Sequence, residues 1–582
     1  MRLRSHALTG GAATGAATQG STAAISGRRL RRGLADALAA LVPPALVALL
    51  YGSATRLFWL SDDFYNLRYV RDWRPAQYCL DPEVWQRLPF RMLTPLVFVS
   101  YDLDLATFGW APRGFYLHEL AALAAAGVAL HALLRFYLPV GWSVLGAMLF
   151  VLGAPIAAAV APMLMGRHYA EAMLFVLLAA VAWIAGLRAR APATGWALAV
   201  GSACLWLLAA LAKEVAIPFV ALLPFFLPAG PPDKALRRLL PHAVALLVYS
   251  AYRRYLVGAW FGGYGWAVEG TDRLKAFALL PGRLLREMAG GSSPWGWGMV
   301  AAMLCCCLGL AVKSRRAAAI LAVAAAAVVL PIFPVAAEVV ARYAVAPWLA
   351  LVVAFVIAAP RVRFGRWLAM AALVFAVVAN RQAWARQLGA LERQSVENRA
   401  LMSLGRGDVV RLPSGPPASL EELHRLTSEL MHRESGTWYL DEIYLCAGAS
   451  QPRRLWEYDA AEGRVVDVTS RLPALRRAHC DGIRGEAPLA ASFRYDDAGV
   501  LHWSLGPWKD GVWSIVLRDG VDSYPVPAQA AFRLGLSGAF PLRVRYQSPA
   551  GWTTYSPVLR LDLAPGGRWA WRRPTTPPRG SS

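Results

Sequence analysis

Between residues 36 and 380 the chain alternates long apolar runs with short polar breaks. The runs far exceed the apolar stripes of soluble helices and strands. A helix crosses a bilayer with about 20 apolar residues. On that rule, membrane helices are expected near 36–59, 115–137, 142–162, 169–187, 195–211, 215–229, 240–257, 296–312, 317–334, 343–359 and 366–380, about eleven in all. The 215–229 run is short and interrupted by proline. Two longer polar stretches, 60–114 and 258–295, divide the series. Beyond it the pattern changes: residues 381–440 read as polar helix, within a helical or mixed region over 381–485. From about 487, short alternating runs follow, at Ala491–Tyr495, Val512–Leu517, Leu542–Tyr546 and Val558–Leu563. Turn pairs such as Asp510–Gly511 and Asp519–Gly520 separate them, which predicts a small antiparallel β-sandwich over 486–575. Residues 1–27 are rich in Ala, Gly, Ser and Thr without apolar period and read as a disordered tail.

Charge gives the series a direction. Arg28–Arg32 precede the first run, with no small-residue cleavage site behind it, so residues 1–32 read as a basic cytoplasmic tail and the first run as an uncleaved helix. Arg188 and Arg190, Lys234 to Arg238, Lys313 to Arg316, and Arg361 to Arg366 follow the fourth, sixth, eighth and tenth runs. All fall on one side of the bilayer, and the positive-inside rule makes that side the cytoplasm. Residues 33–380 then form a membrane domain, with 60–114 and 258–295 as outer loops and everything after about 381 outside. The formal net charge of +23 is accounted for by these orienting clusters, without nucleic acid as a partner. The 57% hydrophobic content excludes a soluble enzyme of this length. The seven cysteines show no metal-binding spacing, whereas Cys446 and Cys480 lie in the outer region and are a disulfide candidate.

The sharpest chemical feature is Asp62 and Asp63, directly after the first run. Adjacent carboxylates at a membrane edge repel each other. They are either a solvated helix end or a site in which one acid faces a cavity and the other fixes the loop. Further along, polar residues interrupt apolar sequence at Arg91–Thr94, Phe115–His118, Pro155–Arg167, Lys213–Glu214 and Arg342–Tyr343. In this order the motifs resemble the GT-C superfamily of integral-membrane glycosyltransferases. They are similar in particular to the protein O-mannosyltransferase-like branch that uses polyprenyl-phosphate sugars. The likeness covers roughly residues 33–360. It departs from the family in the Ala-rich second helix, which lacks an Asn and a second His, and in the absence of tetratricopeptide repeats.

The resemblance implies an inverting hexosyltransferase of the inner membrane. A sugar passes from a polyprenyl-phosphate donor to an extracytoplasmic hydroxyl on a glycan, lipid or protein. Asp62 or Asp63 acts as general base. Arg342, Lys213, Arg253, Arg254 and Arg167 are candidates for the donor phosphate, since guanidinium and ammonium groups suit it. Arg91, His118, Glu171, Glu214 and Tyr343 support them, and the resemblance leaves open a divalent cation. Each basic residue also has a structural reading, as a side chain snorkelling to the headgroups or as part of an internal ion pair. Two other functions fit the same pattern. One is a transporter or flippase of a lipid-linked substrate, although no inverted repeat is visible. The other is a receptor anchored by its membrane part.

Overall fold

The computed structural model describes residues 33–86, 92–226, 236–260, 271–336, 339–405, 407–411, 437–446, 452–459, 464–497, 500–533, 538–564 and 566–573. They form two compact units. One comprises the chain up to Arg56 together with Val70–Leu388; the other comprises Leu57–Tyr69 together with the chain from Gly389 onward.

The first unit is helical. Among the described residues eight stretches are long and apolar enough to cross a membrane: Gly33–Arg56, Pro112–Arg135, Leu164–Arg188, Pro192–Ala212, Pro294–Lys313, Arg315–Val335, Ala341–Arg361 and Gly365–Val396, the last of which runs on past Leu388 into the second unit. The protein is thus a polytopic helical membrane protein. Two of the other three expected spans fall on less regular segments. The 142–162 run is a helix only over Val140–Val151 and then passes into a wider turn at Ile156–Val160. Gly153 and Pro155 break it, because proline has no N–H to continue the ladder. The 215–229 run is a tighter 3-10 helix over Glu214–Phe226, with Pro218 and Pro224 inside it. The third is the helix Leu240–Val257, which carries Arg253 and Arg254.

Local sequence sets the helix starts. Pro95, Pro112, Pro192 and Pro294 stand in the first helical turn, where a missing N–H costs nothing. Ser293 accepts from the Gly296 N–H and caps the same start as Pro294, and Ser314 accepts from the Ala317 N–H and caps the Arg315–Val329 helix. Small residues let the backbones approach. A Cβ on Gly153 would lie 2.2 Å from Trp348 Nε1, and Trp348 itself donates to Phe150 O at 3.1 Å. Tyr51 donates to Val151 O and accepts from Asn380, which ties the first helix to the last.

The expected outer loop 60–114 carries helices Ser61–Asp72, Pro75–Leu80, Pro82–Gln86 and Pro95–Phe108. The last of these buries Val97, Phe98, Ser100, Tyr101 and Asp104 on one face.

In the second unit the long helix that enters the stretch 381–440 ends at Ser403, and residues 412–436 of that stretch lie outside the described residues. A small mixed sheet follows, in the order β2-β1-β3-β4: β1 (Asp408–Arg411) lies between β2 (Thr437–Tyr439) and β3 (Arg454–Asp459), with β4 (Arg464–Asp467) beyond. β1 is parallel to both neighbours, a pairing that alternation alone did not predict. Cys446 and Cys480 are joined by a disulfide, with Cα atoms 5.8 Å apart. The chain then builds two antiparallel sheets. One is β13 (Arg568–Arg572), β5 (Ala490–Tyr495), β6 (Val500–Gly506) and β9 (Gln529–Arg533). The other joins β7 (Val512–Leu517), β8 (Asp522–Val526), β10 (Gly538–Gln547), β11 (Thr553–Tyr555) and β12 (Leu559–Leu563). Phe493, Tyr495 and Leu501 from the first share one core with Trp513, Val544, Tyr546 and Leu561 from the second.

Candidate anion-binding and catalytic site

Three polar clusters form in the first unit, where apolar helices cannot leave charge unmatched without cost. The deepest centres on Arg167, the first residue of its helix, which is fully buried. Its Nη1 lies 2.6 Å from Asp104 Oδ2 and donates to Ser100 Oγ at 3.3 Å, and its Nη2 donates to Phe115 O at 2.7 Å. The guanidinium carbon sits 4.7 Å from the Tyr101 ring centroid. Asp104 also holds His118 Nδ1 at 2.7 Å, and Ser100 donates to Glu171 Oε1 at 2.5 Å. Arg167, His118 and Glu171, predicted separately, thus meet in one network around Asp104. With a carboxylate, a hydroxyl, a carbonyl and a ring around it, Arg167 braces three helices.

Asp104 and Ser100 were not anticipated. Their signal was a spacing of four within an apolar helix, which stacks both on one face. Asp102, two residues before Asp104, lies off that buried face.

The second cluster is cationic. Lys213 terminates the Pro192–Ala212 helix and is buried to 6% exposure. Its ammonium meets the Met92 sulfur at 3.6 Å and the Tyr169 ring at 5.2 Å. Among the described residues no carboxylate lies within ion-pair distance of it. Arg342 is close enough for its charge to oppose one on Lys213 or on His168. Its Nη1 donates to Met165 Sδ at 3.2 Å, and its guanidinium lies 5.5 Å from the Tyr343 ring. Two cations and a histidine therefore gather at the N-terminal turn of the Arg167–Arg188 helix, whose dipole adds positive potential. Gly166 makes that turn possible: a Cβ there would sit 2.5 Å from Val160 Cα.

In the third cluster, Glu214 pairs with Arg253 and accepts from Leu93 N at 2.9 Å and from Tyr249 Oη at 3.4 Å. Lys213 and Glu214, adjacent in sequence, thus serve different partners. Arg254 points away and bonds Gly258 O at the end of its own helix. Arg91 and the Asp62 side chain lie outside the described residues.

Asp63 belongs to the second unit and is 2% exposed. Its Oδ2 accepts from Leu60 N at 2.8 Å, and Asp63 N donates to Leu60 O at the same distance. A carboxylate three residues into a helix that reaches back to the residue before it closes the acid half of a capping box. Leu57–Tyr69 is also held from the long C-terminal helix. Phe58 N donates to Ser395 Oγ at 2.7 Å, and Asn398 Nδ2 donates to Trp59 O at 2.8 Å.

Among the described residues no three His, Cys, Asp or Glu side chains gather as a metal site. No family model matches the sequence, and no curated protein is similar to it.

Proposed function

We propose that the protein is an inverting glycosyltransferase that takes its sugar from a polyprenyl phosphate on the outer side of the cytoplasmic membrane. The observation that carries this reading is Lys213. Among the described residues this buried ammonium is faced by a sulfur and a ring, with a second cation beside it, an arrangement that costs several kcal/mol unless an anion joins it. A phosphate headgroup supplies that anion, and the neighbouring helix N-terminus favours the same charge. The leaving phosphate needs no protonation, so one base suffices.

Asp63 is engaged by the Leu60 N–H, which makes it the positioning acid and leaves Asp62 as the base. In this reading about eleven segments cross the bilayer. The N-terminus is cytoplasmic, and the strand-rich region lies outside, where its disulfide is stable.

The test is transfer from a labelled polyprenyl-phosphate hexose by the full chain in proteoliposomes. Asp62→Asn should lower the rate by about 100-fold or more, the usual worth of a general base. Asp63→Asn, which keeps an oxygen for Leu60 N–H, should retain more activity than Asp63→Ala. Full activity in Asp62→Asn would remove the base from the proposal. Movement of the labelled lipid across the vesicle with no glycan formed would replace the transferase by a flippase.

A further inference from the structure

The outer face of the β13-β5-β6-β9 sheet is unlike the rest of the strand-rich region. Residues opposite one another in an antiparallel ladder share a face. One row across three strands reads Arg568, Arg494, His502. The next reads Ala570, Ser492, Ser504, Gln529, and the third Arg572, Ala490, Gly506. The Arg494 and Arg568 side chains are exposed and directly opposed, an arrangement that destabilises a sheet by like-charge repulsion. Among the described residues neither has an ion-pair partner, nor has Arg572. Of the two carboxylates in the adjoining turn, Asp496 binds His502 Nε2 at 2.8 Å and Val500 N at 2.9 Å, and Asp497 is exposed.

Between these charges the floor is low and polar. Ser492 donates to Ser504 O at 3.4 Å, and Gln529 Nε2 donates to Ser504 Oγ at 3.3 Å. Two adjoining troughs share Ser492, Ser504 and Ala570, and the larger holds about 690 Å³, the size of an ordinary ligand cleft. Arg568 and Arg572 are four residues apart on one strand, which puts cations at its two ends about 13 Å from each other. Trp503, Trp569 and Trp571 alternate to the opposite, core-packed face.

We propose that this face binds an extended acidic polysaccharide, a chain of uronate-bearing sugars laid across the sheet. Carboxylates on the chain would meet Arg494 with Arg568 at one end and Arg572 at the other, where guanidinium forks match them in geometry and charge. Sugar hydroxyls would meet Ser492, Ser504 and Gln529. The outward rows carry Ser, Ala, Gly, Gln and the His502 imidazole between the arginines, while Phe493, Trp503, Trp569 and Trp571, which also line the troughs, belong to the core-facing rows. Three exposed guanidinium groups with no large apolar side chain in their own rows favour an acidic glycan over a protein or a bilayer. The proposal does not depend on the transferase reading, because binding is measured without transfer.

The experiment uses the full chain in detergent, with polygalacturonate as probe and dextran as the neutral comparison. Polygalacturonate should bind and weaken with added salt, whereas dextran should not bind. The double variant Arg494→Ser/Arg568→Ser should weaken binding by about tenfold or more, the worth of one or two charge-assisted hydrogen bonds. Arg560→Ser, on β12 of the other sheet, should leave it unchanged. Ser492→Glu, which sets a carboxylate on the floor, should abolish binding with every arginine in place. Equal losses from Arg560→Ser and the double variant would reduce the effect to net charge and overturn the site. Dextran binding as tightly, undiminished binding in Ser492→Glu, or preference for anionic lipid vesicles over polygalacturonate would also overturn it.

Discussion

Asp441 has no exposed side-chain surface, yet four groups converge on it. Tyr555 Oη donates to its Oδ1 at 2.7 Å, and Ile443 N donates to the same oxygen at 3.1 Å. Arg545 Nη1 and Ser523 Oγ donate to its Oδ2 at 2.9 and 3.3 Å. Because the Tyr555 proton points at Asp441, His479 Nε2, 3.1 Å from Tyr555 Oη, must be the donor of that contact. Asp441→Ala leaves Arg545 half-buried without its carboxylate and should cost about 3–5 kcal/mol, read as a lower unfolding temperature. Burial holds His479 below its ordinary pKa. A histidine depressed in the fold takes its proton first in the unfolded chain. The stability of this region should therefore be full above about pH 6.5 and decline as the pH falls further. His479→Gln should flatten that decline between pH 7.5 and 5.5, and an unchanged slope would exclude His479 as its source. In the membrane unit, Lys213→Met should reduce transfer through the affinity for the lipid donor. Lys213→Arg should restore part of it, a rescue that a purely packing role does not predict.

At the scale of elements, the membrane helices were legible wherever about 20 apolar residues ran unbroken, because a bilayer makes that length obligatory. Legibility failed where backbone chemistry overrode composition. Gly153 and Pro155 end a helix that hydropathy would carry on to residue 162. Pro218 and Pro224 tighten the segment after Lys213. Four strands of the two antiparallel sheets, β5, β7, β10 and β12, were announced by alternation, but β1 was not, since its Val409 and Val410 are both buried in a sheet sheltered on two sides. The candidate site was partly legible. Charges in apolar sequence flagged Arg167, Lys213 and Arg342, whereas Asp104 was lost in a loop whose helical face sequence did not reveal. Gly153→Val tests one helix contact directly. The new side chain would enter the Trp348 ring, and the strain should cost about 1–3 kcal/mol, seen as reduced thermal stability in detergent.

At the scale of the whole molecule, the basic clusters predict an orientation that chemistry can check. A cysteine introduced at Lys313 should react only with reagent on the cytoplasmic side, and one at Ser292 only from outside. The reverse pattern would place both acids on the wrong side of the membrane for a polyprenyl-phosphate donor. One bond pair has a practical consequence for dissecting the protein. Phe58 and Trp59, just ahead of the acid pair, are moored to Ser395 and Asn398, more than three hundred residues away in sequence. A shortened protein that stops near residue 388 would lose those moorings along with the strands, so its inactivity would say nothing about the strands themselves. One that stops just after Ser403 would keep them, and only that cut separates an accessory tail from the anchorage of Asp62 and Asp63.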